Sequence, residues 1–402
     1  MNVLDILLIA AAIGFALLGY RNGFVVAASS VLGFAAGAAL AAGLLPLALR
    51  PLGLTGTTAA VVAVVAVILV AALAQALTTH LAGRLRRTLA ARRPSPSARR
   101  ADAAGGAAVY ALAVLVVAWL LGAALAGTSL PTVSKEVRSS RILGGVENAM
   151  PTGANSWFSG LGASLARSGF PQVFQPFENE PIEAVPPPDP KLAHSAALRS
   201  ARRSIVKVQG TATGCGKVLE GSGFVYAPHR IVTNAHVVGG VREPTVQVGG
   251  TGRLYDAQVV LYDWRRDVAV LDVPGLPDGT PALALDRTEE SPQSGAIVVG
   301  FPENGGFDAR PARIRQVINA RGPDVYRRGS VTRRVYSLYA TVRQGNSGGP
   351  LLRPDGRVAG LIFAKSLDDA ETGYALTYGE VARDLQDART RTAPVDTQGC
   401  AK

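Results

Sequence analysis

The sequence predicts two unequal parts: an all-α membrane-spanning domain of about four helices, then an all-β domain that closes with one helix. Three observations predict it. At 402 residues the chain is too long for one average domain. With 48% hydrophobic and 17% charged residues it is more apolar and less charged than a typical soluble protein, and the excess lies before residue 130. From about residue 203 the apolar positions recur every second residue, the period of a half-buried strand.

Four apolar stretches make up the first part. They cover 3–20, with Asp5 as the only charge, then 24–49 after the turn Arg21-Asn22-Gly23, then 57–82 and 103–126. Each reaches the roughly 20 residues needed to cross the hydrocarbon core. None shows the polar face at helical period that a soluble bundle requires. The first stretch has no basic n-region and three more follow, so it reads as a span and not as a cleaved signal. Gly33 and Gly37 form a GxxxG pattern that permits close helix packing, a weak signal in so Ala- and Gly-rich a sequence. Asp5 and His80 sit near segment ends, an interfacial placement that argues against a proton relay.

Charge then orients the spans. The formal net charge is +12, but Arg84, Arg86, Arg87, Arg92, Arg93, Arg99 and Arg100 crowd one stretch between the third and fourth spans. A basic loop there marks a cytoplasmic connection. The Arg21 turn is then cytoplasmic as well, and the N-terminus and everything after residue 128 lie outside, in the bacterial periplasm or its equivalent. No aromatic-basic interleaving accompanies the charge, so a nucleic-acid partner is not expected. The two cysteines, Cys215 and Cys400, are too far apart in sequence for a CxxC motif or a four-ligand zinc site. They are two free thiols or one disulfide, and an oxidising compartment outside the membrane favours the disulfide.

Residues 129–200 read as a connector. Amphipathic pieces at 134–148 and 154–168 lead to Pro186-Pro187-Pro188-Asp189-Pro190, a semi-rigid spacer. Such an exposed segment tolerates cleavage, and self-cleavage is expected between about 165 and 200. In the β part, strands are expected at 204–208, 221–226, 231–237, 245–248, 255–262, 268–273, 296–301, 311–318, 335–342, 350–352 and 357–364, with a helix over Tyr378–Asp387. Many short strands at this spacing mean a sandwich or a barrel.

Three segments carry chemistry: Thr233-Asn234-Ala235-His236-Val237-Val238, Asp267-Val268-Ala269-Val270-Leu271 and Gly345-Asn346-Ser347-Gly348-Gly349-Pro350. Each alone says little. The order His, Asp, Ser in one β-rich domain, spaced by about 30 and about 80 residues, is the order of the chymotrypsin triad. A serine hydroxyl needs a neighbouring base to become a nucleophile. Imidazole suits the role because it titrates near neutral pH. A buried carboxylate fixes its tautomer and stabilises the imidazolium. Asp267 is the expected carboxylate, with Asp263 as the alternative. The turn Gly345-Asn346-Ser347 is expected to form the oxyanion hole, with the N–H groups of Gly345 and Ser347 as donors.

These three boxes resemble those of the trypsin-like and HtrA-type serine proteases over about residues 200–390. No PDZ domain follows, a departure from the HtrA type, and four spans replace the usual single anchor. The N-terminal half resembles the colicin V production protein family by hydropathy and length. Together the halves resemble a family of actinobacterial membrane-anchored periplasmic serine proteases. The resemblance implies an all-α transmembrane domain (1–128), a periplasmic linker (129–200) and a chymotrypsin-like double β-barrel with a C-terminal helix (201–402), the triad lying between the barrels. It implies an endopeptidase acting through an acyl-enzyme on proteins of the periplasm or cell envelope, with a role in acid and oxidative stress. The lipid bilayer is the other expected partner. By position in trypsin-like enzymes, Thr341 lines the base of the substrate pocket and predicts a neutral or apolar preference. Gly360, Phe363 and Ala364 form the far wall. No metal or organic cofactor is expected. A Cys215–Cys400 disulfide reads as a structural staple or as a redox control of the cleft. Two rivals stay open: a catalytically silent protease-like binding module, and a membrane scaffold with a regulatory extracytoplasmic domain.

Overall fold

The computed structural model describes residues 2–49, 56–90, 95–125, 136–150, 171, 173–174 and 180–401. The chain divides into two compact units, one of residues 1–122 with 140–149 and one of residues 123–139 with 150–402.

In the first unit α1 (Val3–Asn22), α2 (Phe24–Leu49), α3 (Gly56–Ala90) and α4 (Pro96–Leu125) are long and apolar enough to cross a membrane. Their large aliphatic side chains face outward, Leu17 at 64% and Leu73 at 70% exposure, as a lipid-facing surface requires. The GxxxG positions lie where α2 meets α3: a Cβ on Gly33 would stand 2.0 Å from Thr78 Oγ1, and one on Gly37 2.7 Å from the Ala74 Cβ. A short helix, α5 (Arg141–Ala149), ends this unit. Asp5 is fully buried and accepts from the Ser140 hydroxyl at 2.6 Å and the Ile142 N–H at 3.3 Å, which caps α5.

The arginine-rich stretch differs from the expected loop. Arg84, Arg86 and Arg87 extend α3, and Arg99 and Arg100 belong to α4; Arg92 and Arg93 lie outside the described residues. Arg, Leu and Ala are strong helix formers. Ser95 caps the new helix by accepting from the Ala98 N–H at 3.2 Å, ahead of Pro96 at its first position. Arg86 pairs with Asp102 at 3.0 Å, and Asp102 also accepts from the Phe24 N–H at the turn into α2. Of the connector pieces, 134–148 corresponds in part to α5, and 154–168 lies outside the described residues.

The second unit is all-β. Its first sheet has the order β5-β4-β1-β2-β3-β7-β6, from β1 (Ile205–Ala212), β2 (Lys217–Ala227), β3 (Arg230–Thr233), β4 (Thr245–Val248), β5 (Leu254–Asp256), β6 (Gln258–Asp263) and β7 (Val268–Asp272). The edge strands β5 and β6 are separated in sequence by Ala257 alone, so the sheet must curl until its two edges meet. The second sheet is a closed barrel of β8 (Gly295–Gly300), β9 (Asp308–Pro323), β10 (Ser330–Tyr339), β11 (Pro350–Leu352), β12 (Val358–Lys365) and β13 (Thr372–Thr377). Between β3 and β4 lies a single helical turn, α6 (Ala235–Val238), and α7 (Tyr378–Asp387) follows β13.

One apolar cluster fills the curled sheet, including Val206, Val208, Ile231 and Leu271, and another fills the closed barrel, including Val298, Ile314, Leu338 and Ile362. A third lies between the sheets and under α7, with Phe224, Val299, Phe363, Leu376 and Leu385. Strands buried on both faces read as continuous apolar runs, as in Val268-Ala269-Val270-Leu271. Two strand expectations change. The segment 231–237 ends as a strand at Thr233 and turns into α6, and 255–262 breaks at Ala257 into β5 and β6. β13, absent from the expected strands, is the strand that pairs β10 with β12 and closes the barrel.

Candidate active site

Asp267 sits immediately before β7 with φ of +67°, a left-handed conformation that a short polar side chain tolerates. The Asn234 side-chain amide donates to its carbonyl at 2.7 Å and holds it there. The fully buried carboxylate takes two donors from α6: Oδ1 accepts the His236 N–H at 2.9 Å, and Oδ2 accepts from Nδ1 at 2.7 Å. A carboxylate only accepts, so Nδ1 carries the proton and Nε2 presents its lone pair. Asp263 lies elsewhere: it accepts from the N–H groups of Arg265 and Arg266 and pairs with the Arg266 guanidinium at 2.9 Å.

Ser347 stands in the turn ahead of β11. Its hydroxyl donates to the Phe363 carbonyl at 3.4 Å, and no hydrogen bond joins it to His236 among the described residues. Gly345 has φ of +91°, and a Cβ there would meet the Phe301 carbonyl at 2.5 Å; Gly348 has φ of +83°, with the Ser222 carbonyl 2.1 Å from a Cβ. No other residue type fits either position.

The peptide planes of this turn are held from behind. The Gln344 carbonyl accepts the Glu303 N–H at 2.7 Å, and the Asn346 carbonyl accepts the Gly349 N–H at 2.9 Å. In a trans peptide the N–H points opposite the carbonyl, so the N–H groups of Gly345 and Ser347 face away from these anchors. Neither has an acceptor among the described residues. The Asn346 N–H is committed to the Arg343 carbonyl at 3.0 Å, and its side chain accepts from the Arg343 N–H at 2.8 Å. Asn346 therefore shapes the turn, and its backbone N–H is not free to bind an oxyanion.

Sequence reasoning missed Ser222. This buried residue of β2 donates from its hydroxyl to the Gly345 carbonyl at 2.6 Å and accepts from the Phe301 N–H at 2.9 Å. Its own N–H donates to the Ser347 carbonyl at 2.8 Å. It ties the curled sheet to the turn that carries Ser347 and to the end of β8. Only its place in the Gly-Ser-Gly of β2 hinted at a special role. Lys207 was missed too; it reaches from β1 to the Asn304 carbonyl at 2.8 Å and steadies the left-handed Glu303-Asn304 pair behind Gln344.

The expected pocket residues separate. Thr341 is exposed, whereas Phe363 and Ala364 have fully buried side chains in the core between the sheets, so only their main chain is available to a cleft. Gly360 faces β13, where a Cβ would stand 2.4 Å from the Leu376 carbonyl. Cys215 and Cys400 are joined in a disulfide.

Residues 221–361 match the family described as trypsin-like peptidase domain, and residues 4–151 match the family described as colicin V production protein. Fold and matches together define a trypsin-like serine endopeptidase with an N-terminal domain of helices long and apolar enough to cross a membrane. Serine protease Rv3671c of Mycobacterium tuberculosis (strain H37Rv) is 42% identical over 304 residues, 75% of this chain and 75% of that one. Serine protease MT3772 of strain CDC 1551 of the same species has the same identity and coverage. The crystal structure of the active form of Rv3671c protease aligns with a TM-score of 0.54 at 44% identity, covering 57% of this chain and all of that one. The chain belongs to the Rv3671c family of serine proteases.

Proposed function

We propose that the protein is a membrane-anchored endopeptidase that cleaves proteins on the extracytoplasmic side through His236, Asp267 and Ser347. The observation that carries this reading is the 2.7 Å bond from His236 Nδ1 to the fully buried Asp267 carboxylate. That bond leaves Nε2 as the one free basic site of the imidazole. In the reaction the Ser347 hydroxyl leaves the long contact to the Phe363 carbonyl and gives its proton to Nε2 as Oγ attacks the scissile carbonyl carbon. The oxyanion that forms is bound by the N–H groups of Gly345 and Ser347. Collapse breaks the C–N bond, the proton passes from Nε2 to the leaving amine, and the acyl group remains on Oγ. Water, deprotonated by the same nitrogen, then hydrolyses the ester.

The orientation rests on the arginines. Those at the facing ends of α3 and α4 mark the cytoplasmic side, and four spans return the chain to the side on which it began. The Cys215–Cys400 disulfide fits an oxidising compartment. Substrates are proteins of the periplasm or cell envelope, and the family likeness supports a role in acid and oxidative stress. Treatment with a fluorophosphonate probe tests the chemistry. One covalent adduct is expected in the wild-type chain and none in Ser347→Ala; a folded wild-type protein that takes up no probe would favour a silent binding module.

A further inference from the structure

Glu180, in the segment ahead of β1, has a side chain only 2% exposed. Four donors converge on its carboxylate. Oε2 accepts from the Ser366 hydroxyl and, at 2.9 Å, from the Tyr374 hydroxyl. Oε1 accepts the Leu367 N–H at 3.2 Å and Arg138 Nη1 at 3.5 Å. Upstream, Phe174 is buried edge-on against the ring of Tyr374, with centroids 5.6 Å apart. Downstream the chain is tied along β9, where the Pro181 carbonyl accepts from Gln316 Nε2 at 2.9 Å and the Pro187 carbonyl from Arg313 Nη2 at 3.0 Å. The described part of the segment is docked and not merely a spacer.

What Glu180 holds is the turn between β12 and β13, next to the strand that meets Ser347. β12 runs from Phe363, whose carbonyl takes the Ser347 hydroxyl, through Ala364 toward Ser366, and β13 returns with Tyr374 in register with Ala364. Across from them Val342, next to Thr341, closes on Gly373, where a Cβ would meet its Cγ2 at 2.3 Å. The Ser366 hydroxyl accepts the N–H groups of Asp368 at 3.0 Å and Asp369 at 2.9 Å, so its proton goes to Glu180 alone. The turn between β12 and β13 is thus completed by a residue from outside both strands.

We infer that Glu180 is a positioning residue for the substrate pocket: by fixing Ser366 and Tyr374 it sets the wall that receives the substrate side chain, which makes the connector part of the catalytic unit. The inference rests on Ser347 being the nucleophile. All four partners are donors, which suits a carboxylate that only accepts, while burial pushes the Glu180 carboxyl above the ordinary range.

The test uses the full-length protein in detergent micelles. Wild type, Glu180→Gln, Glu180→Ala and Tyr374→Phe are compared for fluorophosphonate stoichiometry at Ser347, for thermal unfolding, and for kcat and KM on peptides that differ only at P1. Glu180→Ala is expected to keep full labelling, to raise KM about ten-fold with kcat within about two-fold, and to reorder the P1 preferences. Glu180→Gln recovers part of the KM change because its amide oxygen still accepts, and Tyr374→Phe shifts KM the same way to a smaller extent. Unchanged KM and P1 order in Glu180→Ala overturns the inference, as does a loss of kcat and labelling that simply tracks the folded fraction. Should Glu180→Ala fail to fold, Tyr374→Phe decides, and wild-type KM and P1 order in that variant overturns it. An unlabelled wild type refutes the nucleophile assignment itself and takes the inference with it.

Discussion

At the residue scale, single side chains with two or three polar partners carry more of the site than the triad letters alone convey. Ser222 is the clearest case. Ser222→Ala leaves the Gly345 carbonyl and the Phe301 N–H without their partner in a buried place. Each such loss costs about 1–3 kcal/mol. The turn that aims the Gly345 and Ser347 amides then loosens, and kcat/KM is expected to fall about 10- to 100-fold with Ser347 still present. A variant with wild-type kcat/KM would show that the turn holds its shape unaided. Asp384 on α7 makes a different prediction. Burial, with Asp263 nearby, pushes its carboxyl up to about 6, and Oδ2 has no hydrogen-bond partner among the described residues. The folded state then binds a proton that the unfolded chain releases near pH 4. Its contribution is favourable below that point and is lost as pH rises through about 6. Asp384→Asn removes the penalty, so Tm is expected to rise at pH 7–8 by the equivalent of about 1–2 kcal/mol, discounted for solvent screening, and to match wild type near pH 4. Equal Tm values at both pH settings would contradict the shift.

At the scale of elements, the C-terminal tail is built into the region that carries His236. The Thr397 carbonyl accepts the Gly240 N–H at 3.1 Å, and its hydroxyl donates to the Val241 carbonyl at 2.9 Å, just beyond α6. The Tyr326 hydroxyl donates to the carbonyls of Thr397 and Gly399 and lies 2.6 Å from the Tyr262 hydroxyl. The Cys215–Cys400 disulfide pins this tail to the turn after β1. Replacing both cysteines by serine releases a loop closed over a sequence separation of 185 residues, and unfolding stability is expected to drop by about 2–5 kcal/mol. Denaturant midpoints check this, and unchanged midpoints would mean that the hydrogen bonds alone hold the tail. Peptidase rates taken on the folded fraction, with and without reductant, separate a staple from a redox control.

At the scale of the whole molecule, the prediction concerns sides of a membrane. With arginines at the facing ends of α3 and α4, we predict that those ends lie in the cytoplasm and the protease outside. A cysteine introduced at residues 91–94 is expected to resist an impermeant thiol reagent in intact cells, and one placed after α7 to react. The reverse pattern would invert the assignment. Deleting residues 1–130 is expected to leave peptide cleavage intact, since the connector from Glu180 onward stays with the β domain.

The sequence by itself determined the two-part plan, because long apolar runs and alternating strands are local patterns that chain geometry forces. It also singled out His236, Asp267 and Ser347 as the candidates for acyl transfer, because that chemistry needs those residue types and the glycines around Ser347 mark a tight turn. Tertiary structure alone decided the rest. That the first sheet curls and that β13 closes the second barrel depend on pairings between distant segments. The partners of Asp267, the work of Ser222 behind Gly345, and the grip of Glu180 on Ser366 and Tyr374 join residues tens to nearly two hundred positions apart. A hydrogen bond across such a distance leaves no periodicity in the chain, so only folding brings its donor and acceptor into one place.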